Sequence, residues 1–262
     1  MKLQLMMGAA VLMAVGTLAA QEQTFNTAAD WDKNPAVSEA DGVLTVKNRV
    51  MLSSSRKFKV DPTKTYTLKL SARAQNASDN DSSRVLAGFL PYDKNGKMIL
   101  SLHVNIIPGT LTEVVADAAR GDKSLRVKDG SKFQKGYMTI VADAREDLSD
   151  LPNYNIVAMR ISDVVKKDDG WEVILQNPLL KAVKAGTLVR EHAMGGYLYT
   201  GGTKEVKSDW VKMSGSIKGM SKSGYFARIW PAGTDQAQVI ILSNWKNKKL
   251  DTQYKDVTLS VK

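Results

Sequence analysis

The feature that most constrains this chain is a succession of short apolar runs separated by turn residues. In the C-terminal stretch 210–262, runs at 225–230, 238–242 and 257–261 alternate with segments rich in Gly, Pro, Asn, Asp and Lys. Short apolar runs bounded by turn residues predict successive antiparallel strands. Because no long segment has a convincing helical period, the sequence predicts an all-β fold.

The chain is long enough to bury a core without covalent cross-links. Its 262 residues are 43% hydrophobic and 24% charged, which is the balance of a globular protein with one large or two small cores. It contains no cysteine, which excludes disulfides, lipid attachment through cysteine and thiol nucleophiles. The sequence therefore predicts a fold stabilised by its core alone or by a metal.

Residues 1–20 have the pattern of a secretory signal peptide. Lys2 is followed by an apolar stretch that ends in the small residues Ala19 and Ala20. A transmembrane anchor is the alternative, but the uncharged run is short and no basic stop follows it. The pattern predicts a secreted or periplasmic protein after cleavage, with no membrane insertion.

The net charge of the chain is positive. It is +10, from 37 basic and 27 acidic residues, and loss of residues 1–20 removes only the charge of Lys2. Outside the cytoplasm such a charge attracts acidic polysaccharides or envelope polymers rather than nucleic acid. The lysines are spread evenly along the sequence, however, which favours an ordinary solvated surface.

Alternation identifies individual strands in the first half of the mature chain. Apolar and polar residues alternate over 66–73, which predicts one buried and one solvated face. Residues 85–92 form the next predicted strand, followed by a turn at 93–97 and a returning strand at 98–107.

The stretch 108–190 differs in character from its flanks. It has short strand patterns at 121–127, 136–141, 156–161, 171–175 and 186–190. We interpret it as a small β-barrel inserted into an exposed loop of a sandwich, because insertion is tolerated where two loop ends lie close together. Two tandem sandwiches with a boundary near Gly109 are the alternative, but neither part then has the length of a complete sandwich.

Two sequence stretches and the last strand resemble a known class of module. The stretches are FKVDPTKTYTLKLSARA and VLAGFLPYDKNGKMI, and the last strand begins with Asp256 after an aromatic-tipped run. They resemble the β-jelly-roll carbohydrate-binding modules, of the galactose-binding-like and the xylanase- and cellulase-associated type, of bacterial polysaccharide-degrading enzymes. The resemblance implies a jelly-roll β-sandwich, formed here by 21–107 plus 191–262, with the β-barrel-like insert at 108–190.

Catalytic signals are weak. The two histidines, His103 and His192, flank the insert, so the insertion model brings them together at its base. Neither Gly-x-Ser-x-Gly nor His-Glu-x-x-His occurs, and a phosphate-binding Gly-rich loop is missing. The dense acidic stretch 143–150 precedes a Pro-Asn turn and contains Arg145, which is typical of a solvated loop rather than of a glycosidase carboxylate pair.

The resemblance also implies a structural calcium ion. In such modules calcium ties the N-terminal segment to the acid that begins the last strand, and Asp256 matches this acid by position. Asp41 is the expected partner, because calcium prefers carboxylate and carbonyl oxygens. A second oxygen-rich group is formed by Asp79, Asn80 and Asp81.

Sugar recognition uses flat aromatic faces and planar polar side chains. In an extended strand over 225–230, Phe226, Arg228 and Trp230 would share one face, which suits a binding surface. Further candidates are Tyr92, Tyr197, Tyr199, Asn244 and Trp245. Core packing is the alternative for each aromatic residue.

The sequence thus predicts a secreted, non-catalytic protein that binds a polysaccharide through Trp230 and Arg228, with an anionic glycan as one option. A structural or adhesive envelope protein that uses the sandwich for protein contacts is the second hypothesis. A polysaccharide lyase or hydrolase is the third, and fold analogy alone does not decide among them.

Overall fold

The computed structural model describes residues 21–75, 77–78, 81–247 and 249–262. The signal peptide predicted at 1–20, and Asp79 and Asn80 of the calcium prediction, lie outside these residues. The strands are β1 (Gln21–Thr24), β2 (Val37–Ala40), β3 (Val43–Val46), β4 (Val50–Ser53), β5 (Phe58–Lys59), β6 (Tyr66–Gln75), β7 (Ser83–Tyr92), β8 (Thr112–Glu113), β9 (Ser124–Val127), β10 (Gly136–Ala142), β11 (Ile156–Lys167), β12 (Gly170–Leu175), β13 (Leu188–Ala193), β14 (Leu198–Val206), β15 (Val211–Ile217), β16 (Gln236–Ser243) and β17 (Asp251–Val261). A 3-10 turn at Ala28–Asp30 and a short helix α1 at Ser101–Val104 complete the described elements.

Two antiparallel sheets form a β-sandwich. The front sheet has the order β15-β6-β17-β3-β2, with β1 beside β17, and the back sheet has the order β14-β7-β16-β4, with β5 beside β16. The chain alternates between the sheets at β3–β4, β6–β7 and again through β14, β15, β16 and β17, which is the jelly-roll connectivity. The prediction of an all-β sandwich is confirmed.

One core lies between the two sheets, and strand alternation selects its residues. On β6, the side chains of Tyr66, Leu68, Leu70 and Ala72 are buried in this core, as the alternation over 66–73 predicts. The same period brings Phe89 of β7 inward from the opposite sheet. The intervening positions of β6 face away from the core.

A third antiparallel sheet, the insert sheet, lies between β7 and β14 in sequence and has its own hydrophobic core. Its order is β8-β13-β10-β11-β12-β9. The sheet curls until its edge strands β8 and β9 meet at one bridge between Val114 and Val127. This seam is a single bridge flanked by backbone hydrogen bonds, rather than the full ladder of a regular barrel.

The chain leaves and rejoins the sandwich at one place. Ile106 and His192 form an antiparallel bridge, the amide of Ile107 donates to Glu191 O at 2.9 Å, and the amide of Ala193 donates to Asn105 O at 2.8 Å. The outgoing and returning chains therefore run side by side at the base of the insert sheet. Strand β13 continues past Arg190, so the insert sheet extends beyond the predicted limit at 190.

The returning strand predicted at 98–107 is wrong. Met98 forms a bridge with Tyr92 and the Ile99 amide donates to Pro91 O at 2.8 Å, but the chain then turns into α1. Strand β14 pairs with β7 as far as Phe89 and β16 covers the other edge to Tyr92, so only the last residues of β7 have a free edge for the returning chain. The predicted turn is present, with Gly96 at φ 75°.

The strand predicted at 225–230 is also wrong. The segment is a tight turn closed by a bridge between Phe226 and Ile229, within the connection that crosses from the front sheet to the back sheet. Trp230 follows the turn and enters the sandwich core. Its ring centroid lies 5.4 Å from that of Tyr66 and 5.2 Å from that of Phe89. Period-two alternation therefore does not place Phe226, Arg228 and Trp230 on one face.

Trp230→Ala is expected to lower the free energy of unfolding by about 3–5 kcal/mol, because it removes a fully buried aromatic side chain and leaves a cavity. Urea unfolding followed by circular dichroism measures this change. Phe226→Ala, four positions away, removes a ring that is 58% exposed and should change stability by only about 0.5 kcal/mol. Equal losses for the two variants would contradict the assignment of Trp230 to the core.

Candidate functional site

Two of the sequence-predicted glycan contacts are buried and do not offer a stacking face. Trp230 is 0% exposed and lies among Phe58, Tyr66 and Phe89. Tyr92 is 8% exposed, and its hydroxyl donates to Gln238 Oε1 at 2.5 Å. Both rings supply buried packing contacts, Trp230 between the sheets and Tyr92 on the outer face of the back sheet.

Trp245 and Asn244 lie together at the end of β16. Asn244 is fully buried, and its amide donates to Asn48 O at 2.7 Å, so it ties neighbouring loops together. Trp245 is 40% exposed, and the Arg49 guanidinium lies 3.7 Å from its ring centroid. One face of the Trp245 ring is therefore already covered by a cation.

Tyr199 and Arg228 line one depression, which we call the edge groove. Its volume is about 590 Å³, and its lining is Tyr199, Thr200, Gly202, Ser214, Gly215, Ser216, Ala227 and Arg228. It lies where the edge strand of the back sheet, β14, meets the edge strand of the front sheet, β15. The sequence predicted Tyr199 and Arg228 as ligand contacts, and the fold brings these two together.

Small residues make the edge groove. A Cβ atom on Gly215 would lie 1.7 Å from Thr200 O, so only glycine allows β15 to approach β14 this closely. Thr200 Oγ1 donates to Ala227 O at 2.5 Å and fixes the turn that carries Arg228. The groove therefore has a rigid floor of backbone and short side chains.

The groove wall combines an aromatic ring with hydrogen-bonding groups. Tyr199 is half-buried, and its ring packs edge-on to Tyr197 at 6.3 Å. Arg228 is exposed, and no carboxylate among the described residues lies within salt-bridge distance of it. Its guanidinium therefore keeps its donors available for a ligand. Phe226, in the same turn, exposes 58% of its surface next to the groove.

Sequence reasoning missed the hydroxyl side of the groove. Ser214 and Ser216 lie on β15, where they alternate with the buried Met213 and Ile217. The alternation in the sequence indicates that Ser214 and Ser216 lie on a solvated face. It does not indicate that this face lies beside Tyr199. The neighbour relation arises from the crossing of two sheet edges, which no local pattern encodes.

The two residues predicted to bind calcium both lie at positions with positive φ. Asp41 has φ 51° in the β2–β3 turn, and Asp256 has φ 53° at a bulge in β17. Both are exposed, and no group of three or more His, Cys, Asp or Glu side chains in the described part of the chain is placed to hold a metal. The calcium site therefore stays a prediction.

Direct contacts join the N-terminal segment to the last strand. Strand β1 pairs with β17, and the amide of Val257 donates to Asn26 Oδ1 at 2.8 Å. Asp81, the remaining member of the second oxygen-rich group, accepts a hydrogen bond from Ser78 Oγ at 2.7 Å. Hydrogen bonds thus connect the N-terminal segment to the last strand.

A buried polar cluster lies at the base of the insert sheet and contains both histidines. The Arg190 guanidinium donates to Asp150 Oδ2 at 2.7 Å and to His192 Nε2 at 3.2 Å. His192 Nδ1 lies 2.9 Å from Leu102 O, so this nitrogen carries the proton and donates. Burial lowers the pKa of His192 to about 4, which keeps the ring neutral at neutral pH.

His103 packs against the opposite side of this cluster. Its Nδ1 accepts the amide proton of Leu100 at 3.0 Å, and its ring centroid lies 4.5 Å from that of Tyr154. Burial lowers its pKa to about 4 as well. The backbone around the base of the insert sheet is therefore fixed by side chains from both flanks, including Asp150 from the acidic stretch 143–150.

Comparisons of the chain with protein-family models, with curated proteins and with solved structures find no match. The resemblance to carbohydrate-binding modules therefore stays a prediction. Within the described residues, no helix combines the length and apolarity that a bilayer crossing requires.

Glu191→Gln is expected to change how stability depends on pH. Glu191 is fully buried in the insert sheet, where both carboxylate oxygens accept from the backbone N–H of Gln134 at 3.0 Å. Burial raises the pKa of Glu191 from 4.5 to about 7. The folded protein then binds the proton more tightly than the unfolded chain does. The stability contributed by this group is present below about pH 4.5 and is lost as the pH rises through about 7.

Thermal unfolding across this pH range should show the wild-type protein losing stability relative to Glu191→Gln as the pH rises. The comparison isolates Glu191, since both proteins keep the buried histidines. Glu113→Gln, an exposed substitution in the same sheet, makes the same change in charge and serves as the control. Parallel pH profiles for wild type and Glu191→Gln would disprove the buried titration.

Proposed function

We propose that this protein is a secreted, non-catalytic carbohydrate-binding protein whose ligand site is the edge groove. The observation that carries the proposal is that Tyr199 and Arg228, which are far apart in sequence, line one groove with Thr200, Ser214 and Ser216. The groove, rather than the strand face proposed from sequence, is the site. Trp230 supports the core beneath it.

The groove supplies the three kinds of contact that sugars use. An aromatic ring face packs against the apolar C–H face of a pyranose, and hydroxyl and guanidinium groups bond to its hydroxyls. A volume of about 590 Å³ lies in the range of small-molecule sites and accommodates one or two sugar units.

Rigidity favours this site over the other exposed aromatic residues. The floor is backbone held by the Gly215 approach and by the Thr200 hydrogen bond, so little ordering entropy is lost on binding. Trp245, by contrast, is already covered by Arg49 on one face. The edge groove therefore combines a pre-formed shape with unsatisfied donors.

Tyr199→Ala together with Arg228→Gln is expected to weaken glycan binding by about tenfold to a hundredfold, which is about 1.4–2.7 kcal/mol. Isothermal titration calorimetry against a panel of neutral and acidic oligosaccharides, preceded by affinity electrophoresis on the polymers, measures the loss. Tyr199→Phe keeps the ring and should retain most of the affinity. Both changes are at the groove surface, so the unfolding midpoint serves as the folding check.

Tyr137→Ala is the matched control, because it removes a tyrosine that is 66% exposed on the insert sheet, away from the edge groove. It should leave glycan affinity unchanged. A panel in which no glycan binds the wild-type protein would sink the proposed function. Binding that survives the double substitution at the groove would instead overturn the site assignment.

A further inference from the structure

The outer face of the front sheet carries four cations around one residue. Ser71 of β6 has Lys212 of β15 as its cross-strand partner on one side and Lys255 of β17 on the other. Lys69 and Arg73 lie two positions before and after Ser71 on β6, so they share its face. We call Lys69, Arg73, Lys212 and Lys255 the basic face.

The basic face lies on the solvent side of the sheet, because the intervening residues of the same strands fill the core. Leu70 and Ala72 of β6, Met213 of β15 and Tyr254 of β17 are all buried in the core. Their neighbours in sequence therefore point outward. Adjacent strands lie about 4.8 Å apart and alternate residues of a strand about 7 Å apart, so the four side chains start within about 7 Å of Ser71.

An aromatic ring holds two of the four cations. Trp210, which directly precedes β15, is half-buried, and its ring centroid lies 4.7 Å from Arg73 Cζ and 4.6 Å from Lys255 Nζ. Arg73 Nε also donates to Gln253 Oε1 at 2.8 Å. An aromatic ring and a neutral amide position a cation without neutralising it. Both charges therefore stay available for an anion.

The other two cations line a depression on the same face. Its volume is about 390 Å³, and Lys69 and Lys212 line it together with Ser71, Ser214 and Thr258. Ser214 and Thr258 are the cross-strand partners of Lys69 on its two sides, so hydroxyl groups flank this ammonium. Hydroxyl groups supply both donors and acceptors to a ligand. The depression therefore offers charge and hydrogen bonds side by side.

Carboxylates offset only part of this charge. Asp256 and Glu22 line the same depression, and Asp256 Oδ2 accepts from Ser71 Oγ at 3.4 Å. Among the described residues, no carboxylate lies within salt-bridge distance of any cation of the basic face. Four cations against two carboxylates leave an excess of two positive charges. Cations that repel one another without a paired acid favour a bound anion.

We propose that the basic face binds the carboxylate or sulfate groups of an acidic polysaccharide. The inference rests on the proposed function for the sugar nature of the ligand, and it names the class of sugar and a second surface. Ser214 lines both the edge groove and the depression, so the two surfaces adjoin and one chain can occupy both. Lys212 and Lys255 are separated by two strand spacings, about 10 Å, so different acidic groups of one chain reach the two sides of Ser71.

The competing explanation is an ordinary solvated sheet face. Strand β15 is an edge of the front sheet, and lysines on edge strands prevent pairing with another chain. That role requires no ligand. It predicts that loss of the lysines increases self-association without changing the binding of any glycan.

The test compares Lys212→Gln/Lys255→Gln with the charge-matched control Lys128→Gln/Lys132→Gln, whose lysines are exposed near the insert sheet. The probes are an oligouronate, a sulfated oligosaccharide, a neutral oligosaccharide, inorganic sulfate and a single-stranded oligonucleotide, measured by calorimetry at two salt concentrations. We expect the first variant to bind the two acidic sugars about tenfold more weakly, and the control to match wild type. The wild-type affinity for acidic sugars should fall as salt rises.

Trp210→Leu separates a built site from net charge. It removes the ring that holds Arg73 and Lys255 but leaves every charge in place. We expect it to weaken the binding of acidic sugars by about threefold, whereas Trp210→Phe keeps a ring and should match wild type. The unfolding midpoint of each variant serves as the folding check. Unchanged affinity in Trp210→Leu would mean that net charge alone attracts the sugar and would overturn the site.

Each remaining outcome decides a separate point. Equal losses in the two lysine variants, self-association with unchanged binding, or a wild-type protein that binds no acidic sugar would overturn the inference. Inorganic sulfate or the oligonucleotide binding as tightly as the acidic sugars would overturn the sugar part. Acidic-sugar binding that depends on Lys212 and Lys255, but not on Tyr199 and Arg228, would uphold the inference while the edge groove fails. Sugar binding that depends on Tyr199 and Arg228 alone would uphold the groove and overturn the inference.

Discussion

The packing of Trp230 against Tyr66 and Phe89 is the contact on which the rest of the sandwich depends. Tyr66 belongs to the front sheet, Phe89 belongs to the back sheet, and Trp230 comes from the connection between them. One buried cluster therefore holds two sheets and a crossing loop in a fixed relation. The turn that carries Arg228 takes its position from this cluster.

The proposed ligand surface follows from this arrangement. Arg228 of the edge groove lies two residues before Trp230 in the same connection. A side chain that sequence reasoning assigned to the ligand thus acts as the support of the turn that carries Arg228. Aromatic residues that look suited to sugar stacking are also the residues that fill a sandwich core, and burial alone separates these roles.

Much of the fold could be predicted from the sequence because it is written in local patterns. The alternation over 66–73 and the turn at 93–97 need only near neighbours, and the strands of 108–190 are bounded by turn residues. The failures occurred where pairing partners are distant. The stretch 98–107 has strand-like residues, but only the last residues of β7 leave an edge free for it. The stretch 225–230 alternates but lies in a crossing loop. For the site, Tyr199 and Arg228 were identified by residue type, whereas the position of Ser214 and Ser216 beside them depended on strand order.

The paired chains at the base of the insert sheet have a consequence for the sandwich itself. Residues 105–107 and 191–193 are hydrogen-bonded side by side. The connection between β7 and β14 is therefore closed at this pair, whatever the length of the chain between residues 107 and 191. The entropy of closing this connection is set by the paired segment and hardly by the length of the excursion. The insert sheet thus adds little to the entropic cost of closing the sandwich. Its sequence can therefore change independently of the sequence of the sandwich.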